Sequence, residues 1–231
     1  MKILCQLSGG YDSVAACIKL LNEGHEVAGM FFNINQPYLK KEEDAVDYVH
    51  DYLKEKYDNW LGAGMRNAHM VLSDPSSDTP TEYIPVRNFV LATHSANIAI
   101  ARGFDAVAVG SKTIEVREGD PYSFADCSVE FYKRVQDLTN FFTEGETSLQ
   151  FLMPLVRVVG IDRSTMHRGE KYSPLSKGEV VQIILDSGMD ISKLWTCYGH
   201  AFKPCGICYH CKEAKKAFDD IRFDYKDFFI K

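Results

Sequence analysis

A short apolar run, Lys2 to Leu7, breaks off into Ser8-Gly9-Gly10-Tyr11-Asp12-Ser13, and Val14 to Leu21 then sets apolar residues at helical spacing. No other stretch restricts the fold as much, because a buried strand must become a helix within a few residues. Two adjacent glycines let the backbone bend and leave its amides open to an anion, with no Cβ in the way. The helix that follows adds unpaired N–H groups and the positive end of its dipole, which together favour a phosphate. Ser8 and Ser13 supply hydroxyl donors, and Asp12 either caps the helix or helps to position a metal–phosphate. The stretch has no GK[ST] ending and no GxGxxG spacing. Neither γ-phosphoryl transfer nor dinucleotide binding is therefore implied.

The same alternation continues along the chain. Glu26 to Asn33 reads as a second strand, and Leu39 to Tyr57 as an amphipathic helix with Ala45, Val49, Tyr52 and Leu53 on one face. Asp58 to Arg66 reads as loop, His69 to Leu72 as a third strand, and Ser73 to Glu82 as a long polar loop. Val86 to Arg102 is helical and stops at Gly103, and Phe104 to Gly110 is a buried fourth strand. Its end at Gly110 is where ligands approach a parallel sheet, outside the carboxyl ends of the strands. A loop, Ser111 to Ala125, leads to a helix at Ser128 to Phe142, a fifth strand at Gln150 to Pro154, and a helix at Leu175 to Ser187. Five strand–helix alternations predict an α/β fold with a doubly wound five-stranded parallel sheet. The 231 residues suffice for one such domain, residues 1–190, followed by a small subdomain over residues 191–231.

That subdomain holds Cys197, Cys205, Cys208 and Cys211, the last three as CxxCxxC. Four thiolates close a tetrahedral metal site, and zinc suits them better than an iron–sulfur cluster. His200 and His210 are spare ligand types beside an already complete set. Seven cysteines distributed in this way fit a reduced, cytoplasmic protein better than a disulfide framework. The net charge of -6 argues against a mainly electrostatic nucleic-acid binder. No apolar run is long enough for a membrane span, and strand and turn begin at once where a signal peptide would lie.

SGGYDS resembles the SGGxDS signature of the PP-loop ATP pyrophosphatases, which split ATP between its α and β phosphates. Together with the cysteine cluster, it makes the chain similar to the 7-cyano-7-deazaguanine synthase (QueC) family. Tyr83-Ile84-Pro85-Val86-Arg87-Asn88 resembles that family's YxPxRN, and Ala106 to Gly110 its apolar strand ending in glycine. Asp120 to Phe131 resembles DYSGYPDCRxxF, with Asp120, Asp126, Cys127 and Phe131 in register. Leu175 to Val181 resembles the lysine-bearing start of the last helix, and Leu194 to Tyr198 the TxSCY segment.

The resemblance implies adenylation of 7-carboxy-7-deazaguanine by ATP with Mg²⁺, then attack by ammonia from free ammonium, giving an amide and finally the nitrile. Leu7, Ser8, Gly9, Gly10, Tyr11, Asp12 and Ser13, with Gly110, would hold the nucleotide. Asp12, Arg87 and Lys177 would serve the reaction, and Asn88, Asp126 and Cys127 the base, with Asp126 accepting from its N–H edge. Cys127 is read as a binding residue, since amide formation from an adenylate needs no thioester. Cys197, Cys205, Cys208 and Cys211 would hold Zn²⁺. The partners implied are small molecules, with no nucleic acid and no membrane, and a homodimer is left open.

The departures are local. Where the family has YGQRH, this chain has Asn33-Ile34-Asn35-Gln36-Pro37-Tyr38, and the arginine of DCR is Ser128. Two rival readings follow: a PP-loop enzyme that amidates or thiolates another acceptor, such as a tRNA base or a protein terminus, and a non-catalytic binding module. The intact SGGYDS argues against the second.

Overall fold

The computed structural model describes residues 1–67, 84, 86–113, 125–146, 148–162, 169–199 and 201–230. Five strands form one parallel sheet: β1 (Lys2–Gln6), β2 (Glu26–Phe32), β3 (Trp60–Asn67), β4 (Ala106–Ala108) and β5 (Gln150–Leu152). Their order is β3-β2-β1-β4-β5. The chain first winds outward from β1 through β2 to β3, then crosses back to β4 on the other side. The strand order reverses between β1 and β4, and an open α/β sheet leaves a crevice there beyond the strand ends.

β1, β2 and β4 read as apolar runs because both faces of the sheet are covered. Along β1 the side chains alternate: Ile3 and Cys5 enter one buried cluster and Leu4 the other. The first cluster is covered by α1 (Tyr11–Asn22), α2 (Leu39–Lys56), α5 (Lys177–Ser187) and α6 (Tyr209–Asp220). The second lies under α3 (Arg87–Ala101) and α4 (Val129–Phe142). Trp195, Cys197, Cys211, Phe218 and Phe229, all from the 191–231 segment, share the first cluster with α1. No helix among the described residues is long and apolar enough to cross a membrane.

Local chemistry explains both ends of α5 and the start of α4. Ser176 and Glu179 form a reciprocal capping box at the start of α5, and Gly188 closes that helix in the left-handed conformation. Ser128 caps α4 by accepting from the Phe131 amide. Helices α1, α2, α3 and α6 start without a side-chain cap, α1 on Gly10.

Two elements depart from the expectation. The stretch Asp58 to Arg66, read as loop, contains most of β3; residues 69–72, expected as the third strand, lie outside the described residues. Gly62 at φ 103° and two register shifts against β2 break the alternation by which such a strand is recognised. An antiparallel hairpin, β6 (Val156–Asp162) with β7 (Gly169–Pro174), was also not foreseen. A register shift between Val158 and Gly160, and the exposure of Val158 and Val159, erase its two-residue period.

Candidate active site

The turn after β1 is folded by its own serines. The Ser8 amide donates to Ser13 Oγ (3.1 Å), and Ser13 Oγ donates to the Gly10 carbonyl (2.9 Å). Gly9 has φ 77°, and a Cβ on it would lie 2.7 Å from the Ala45 Cβ of α2. No other residue fits there. Gly110 is equally confined, since an added Cβ would meet the Ser13 amide nitrogen at 2.8 Å and the Asp12 carbonyl carbon at 3.0 Å. The end of β4 therefore presses against the first turn of α1. Gly110→Ala is expected to push that turn aside and weaken ATP binding on the order of tenfold or more, measured by calorimetry. Unchanged affinity would show that the close approach plays no part in binding.

With no side chain capping α1, its first amides stay available at the crevice. Asp12 is thus not the cap; it sits in the first turn and forms an ion pair with Lys177 of α5. Its other oxygen, Oδ1, is buried and has no hydrogen-bond partner. An orphaned carboxylate oxygen beside a row of amides fits a cation that accompanies phosphate. Lys112, which the sequence reading passed over, lines the same crevice. Burial lowers its pKa, Asp12 opposes that shift, and its Nζ lies 3.4 Å from the Leu175 carbonyl. Its position two residues beyond Gly110, at a strand's carboxyl end, was the available signal.

The crevice opens into a cavity of about 430 Å³, a size suited to a small organic ligand. Leu7, Ser8, Gly10, Tyr11, Asp12, Ser13 and Gly110 line its end at the turn after β1. Tyr11 turns its ring into the core against Phe218, with centroids 6.1 Å apart. Arg87, Asn88 and Cys127 form another part of the wall. Asn88 Nδ2 donates to Cys127 Sγ (3.0 Å), and burial, with Asp126 adding to it, pushes the Cys127 thiol up to about 11. The thiol stays protonated near neutral pH, which suits packing against a ligand and not attack on one. Asp126 Oδ2 accepts from the Asn88 amide (3.4 Å) at the start of α3, and its side chain is not among the cavity's lining groups. Tyr83, Pro85 and Asp120 lie outside the described residues.

The third wall comes from two unrelated segments. Ile34, Gln36, Tyr38 and Glu42 approach from the loop and first turn after β2, and Trp195, Tyr198 and His210 from the cysteine-rich end. Tyr38 stacks on Tyr198 with centroids 5.2 Å apart and planes within 2°. The Trp195 amide donates to the Gly9 carbonyl (3.1 Å), tying this segment to the phosphate turn.

The four Sγ atoms of Cys197, Cys205, Cys208 and Cys211 lie within 4.8 Å of one another. Cys208 is the N-cap of α6 and Cys211 sits in its first turn, so the CxxCxxC run enters a helix. Cys197 Sγ accepts amides from Gly199 (3.2 Å) and Cys205 (3.3 Å), and Cys205 Sγ accepts from Cys208 (3.4 Å). Amide donors stabilise thiolates, and four converging thiolates suit a soft, tetrahedral ion. His210 is not part of that group and packs on Tyr198, with ring centroids 4.2 Å apart. His200 lies outside the described residues.

Residues 2–222 match the family described as "Queuosine biosynthesis protein QueC". The chain belongs to the QueC family. Its relatives include a 7-cyano-7-deazaguanine synthase of Campylobacter hominis, 28% identical over 94% of both chains. Another, from Campylobacter curvus, is 26% identical over 94% of this chain and 93% of its own. A third, from Nautilia profundicola, is 26% identical over 97% of this chain and 98% of its own. The family match spans both the phosphate turn and the four cysteines.

Proposed function

We propose that this protein makes 7-cyano-7-deazaguanine from 7-carboxy-7-deazaguanine, ATP and ammonium. The observation that carries this reading is an uncapped helix start at the sheet's reversal point, opening directly into a cavity of about 430 Å³. Relatives that bear the name 7-cyano-7-deazaguanine synthase along nearly the whole chain support the product. ATP supplies an adenylyl group that turns a carboxylate oxygen, and later an amide oxygen, into part of a leaving group.

The protein's own part is positioning and charge neutralisation. Backbone amides of the phosphate turn, with Ser8 and Ser13, would hold the departing pyrophosphate. Lys112 would add a cation, and Asp12, oriented by Lys177, would support Mg²⁺ through Oδ1. Arg87 stands at the start of α3 on the cavity wall, where it would face the negative acyl phosphate. Zn²⁺ held by the four cysteines would fix Trp195, Tyr198 and His210 as the cavity's third wall, with no part in bond making.

Incubation with 7-carboxy-7-deazaguanine, ATP, Mg²⁺ and ammonium is expected to yield the nitrile through an amide detectable by mass spectrometry. Two AMP should form per nitrile. One observation favours a second reading: Ile34, Gln36 and Tyr38, which replace the family's YGQRH, line the cavity itself. Accumulation of the amide alone, at one AMP each, would support an enzyme that stops there or passes the acyl group to another acceptor. No pyrophosphate release with this substrate would overturn the proposal.

A further inference from the structure

Among the described residues, the carboxylates lining the cavity are Asp12 and Glu42. Asp12 lies at the end by the turn after β1 and is paired with Lys177. Asp126, the residue the sequence points to for the base, gives an oxygen to the amide that opens α3. Glu42 is therefore the carboxylate at the cavity wall away from Lys177.

Its position is built and not incidental. Glu42 sits in the first turn of α2, and its amide donates to the Tyr38 carbonyl (3.2 Å). Its own carbonyl lies 3.2 Å from where a Cβ on Gly9 would be, so this turn packs on the phosphate loop. Gln36 Nε2 donates to Glu42 Oε2. Gln36 is itself pinned, with Oε1 accepting the Ile34 amide (2.9 Å) and Nε2 also reaching the Phe32 carbonyl (3.4 Å). A neutral amide thus fixes the orientation of the carboxyl group. A carboxylate accepts at about four positions, and this bond takes one of them.

Resting on the proposed acceptor, we propose that Glu42 is a specificity residue of this site, its carboxylate accepting the N1–H and the 2-amino group of the 7-deazaguanine base. Those two donors lie side by side on one edge of the ring, and the two oxygens of a carboxylate match them. A ligand without the 2-amino group forfeits one of the two bonds. Burial raises Glu42 to about 7, and the Gln36 bond and Arg87 of α3 only partly offset this. A half-buried carboxyl group facing a cavity gains most from a ligand that brings two donors.

The decisive comparison is between 7-carboxy-7-deazaguanine and its analogue lacking the 2-amino group. Wild type is expected to prefer the first by about 10- to 100-fold in kcat/KM, mostly through KM. Glu42→Gln, which keeps shape but adds a donor, is expected to bring that preference to within about threefold. A general supporting role, such as balancing Arg87, would slow both substrates equally, and an unchanged preference would overturn the proposal. Turnover of neither substrate by wild type would instead count against the proposed acceptor, so the two failures are distinct.

Calorimetry of the nitrile product gives a second measurement that needs no variant to fold. Only the ionised carboxyl group accepts both donors. Affinity should therefore be full above about pH 7 and fall toward tenfold per unit below it. Arg87, Asp12, Lys112 and His210 also face the cavity. The glutamine variant keeps all four, so a flat profile in it assigns the titration to Glu42. A flat wild-type profile from pH 5.5 to 8.5 would overturn the proposal.

Discussion

Asp12→Asn is expected to lower pyrophosphate release by about 100- to 1,000-fold, with little change in the thermal midpoint. The substitution preserves size and removes one charge from a part-buried ion pair with Lys177. If the carboxylate serves to steer Lys177 and accept a metal at its partnerless Oδ1, the reaction loses both at once. If the pair serves stability, a lone ammonium remains at a site where the Lys177 side chain is only 15% exposed, and the protein should melt earlier while still turning over. Measuring pyrophosphate release and the melting curve on the same preparation separates the two. Retained turnover in a destabilised protein would reverse the assignment.

The second large effect is expected at the cysteines. Elemental analysis should find one zinc per chain, and Cys208→Ser should give insoluble or metal-free protein. Structural zinc contributes about 10–16 kcal/mol in zinc-finger peptides, as much as the whole stability of a typical domain. Losing it should also silence the phosphate turn at a distance. The Trp195 amide is bonded to the Gly9 carbonyl, and Trp195 shares the core cluster that contains Cys197 and Cys211. Pyrophosphate release should therefore disappear with the metal. A soluble, metal-free wild type with full activity would show that the thiols act without an ion.

The parts of this molecule that sequence makes legible are those governed by local rules. β1 and α1 announce themselves through an apolar run, a glycine turn and helical spacing, and β4 (Ala106–Ala108), shorter than the expected Phe104 to Gly110, through its apolar run. The cysteine spacing needs no third dimension to suggest a shared ligand. What escaped depends on neighbours. β3 is hidden because Gly62 and the shifted pairing with β2 interrupt its pattern, and the β6–β7 hairpin because it shows valines to solvent. Lys112 and Glu42 are ordinary charged residues in sequence. The reversal of strand order brings Lys112 to the cavity, and the packing of α2 on Gly9 brings Glu42 there. Asp126 is a matched motif residue whose Oδ2 accepts the amide at the start of α3, a contact that sequence does not show.

The central place of β1 has a consequence for how a ribosome delivers this molecule. β1 emerges before the other four strands, yet one of its edges waits for β4; the bond from the Lys2 amide to Asp105 spans 103 positions. At about 5–20 residues per second, that edge stays unpaired for roughly 5–20 seconds of translation. An unpaired apolar strand is a template for wrong partners, so nascent chains of this protein should lean on chaperones throughout that interval. The wait for chemistry is longer. The cavity takes walls from Gln6 and from His210, so the turn after β1 lacks both its far wall and its bond from the Trp195 amide until the cysteine-rich segment has left the exit tunnel. A messenger truncated before that point would yield a chain with a nucleotide cradle and no chamber beside it.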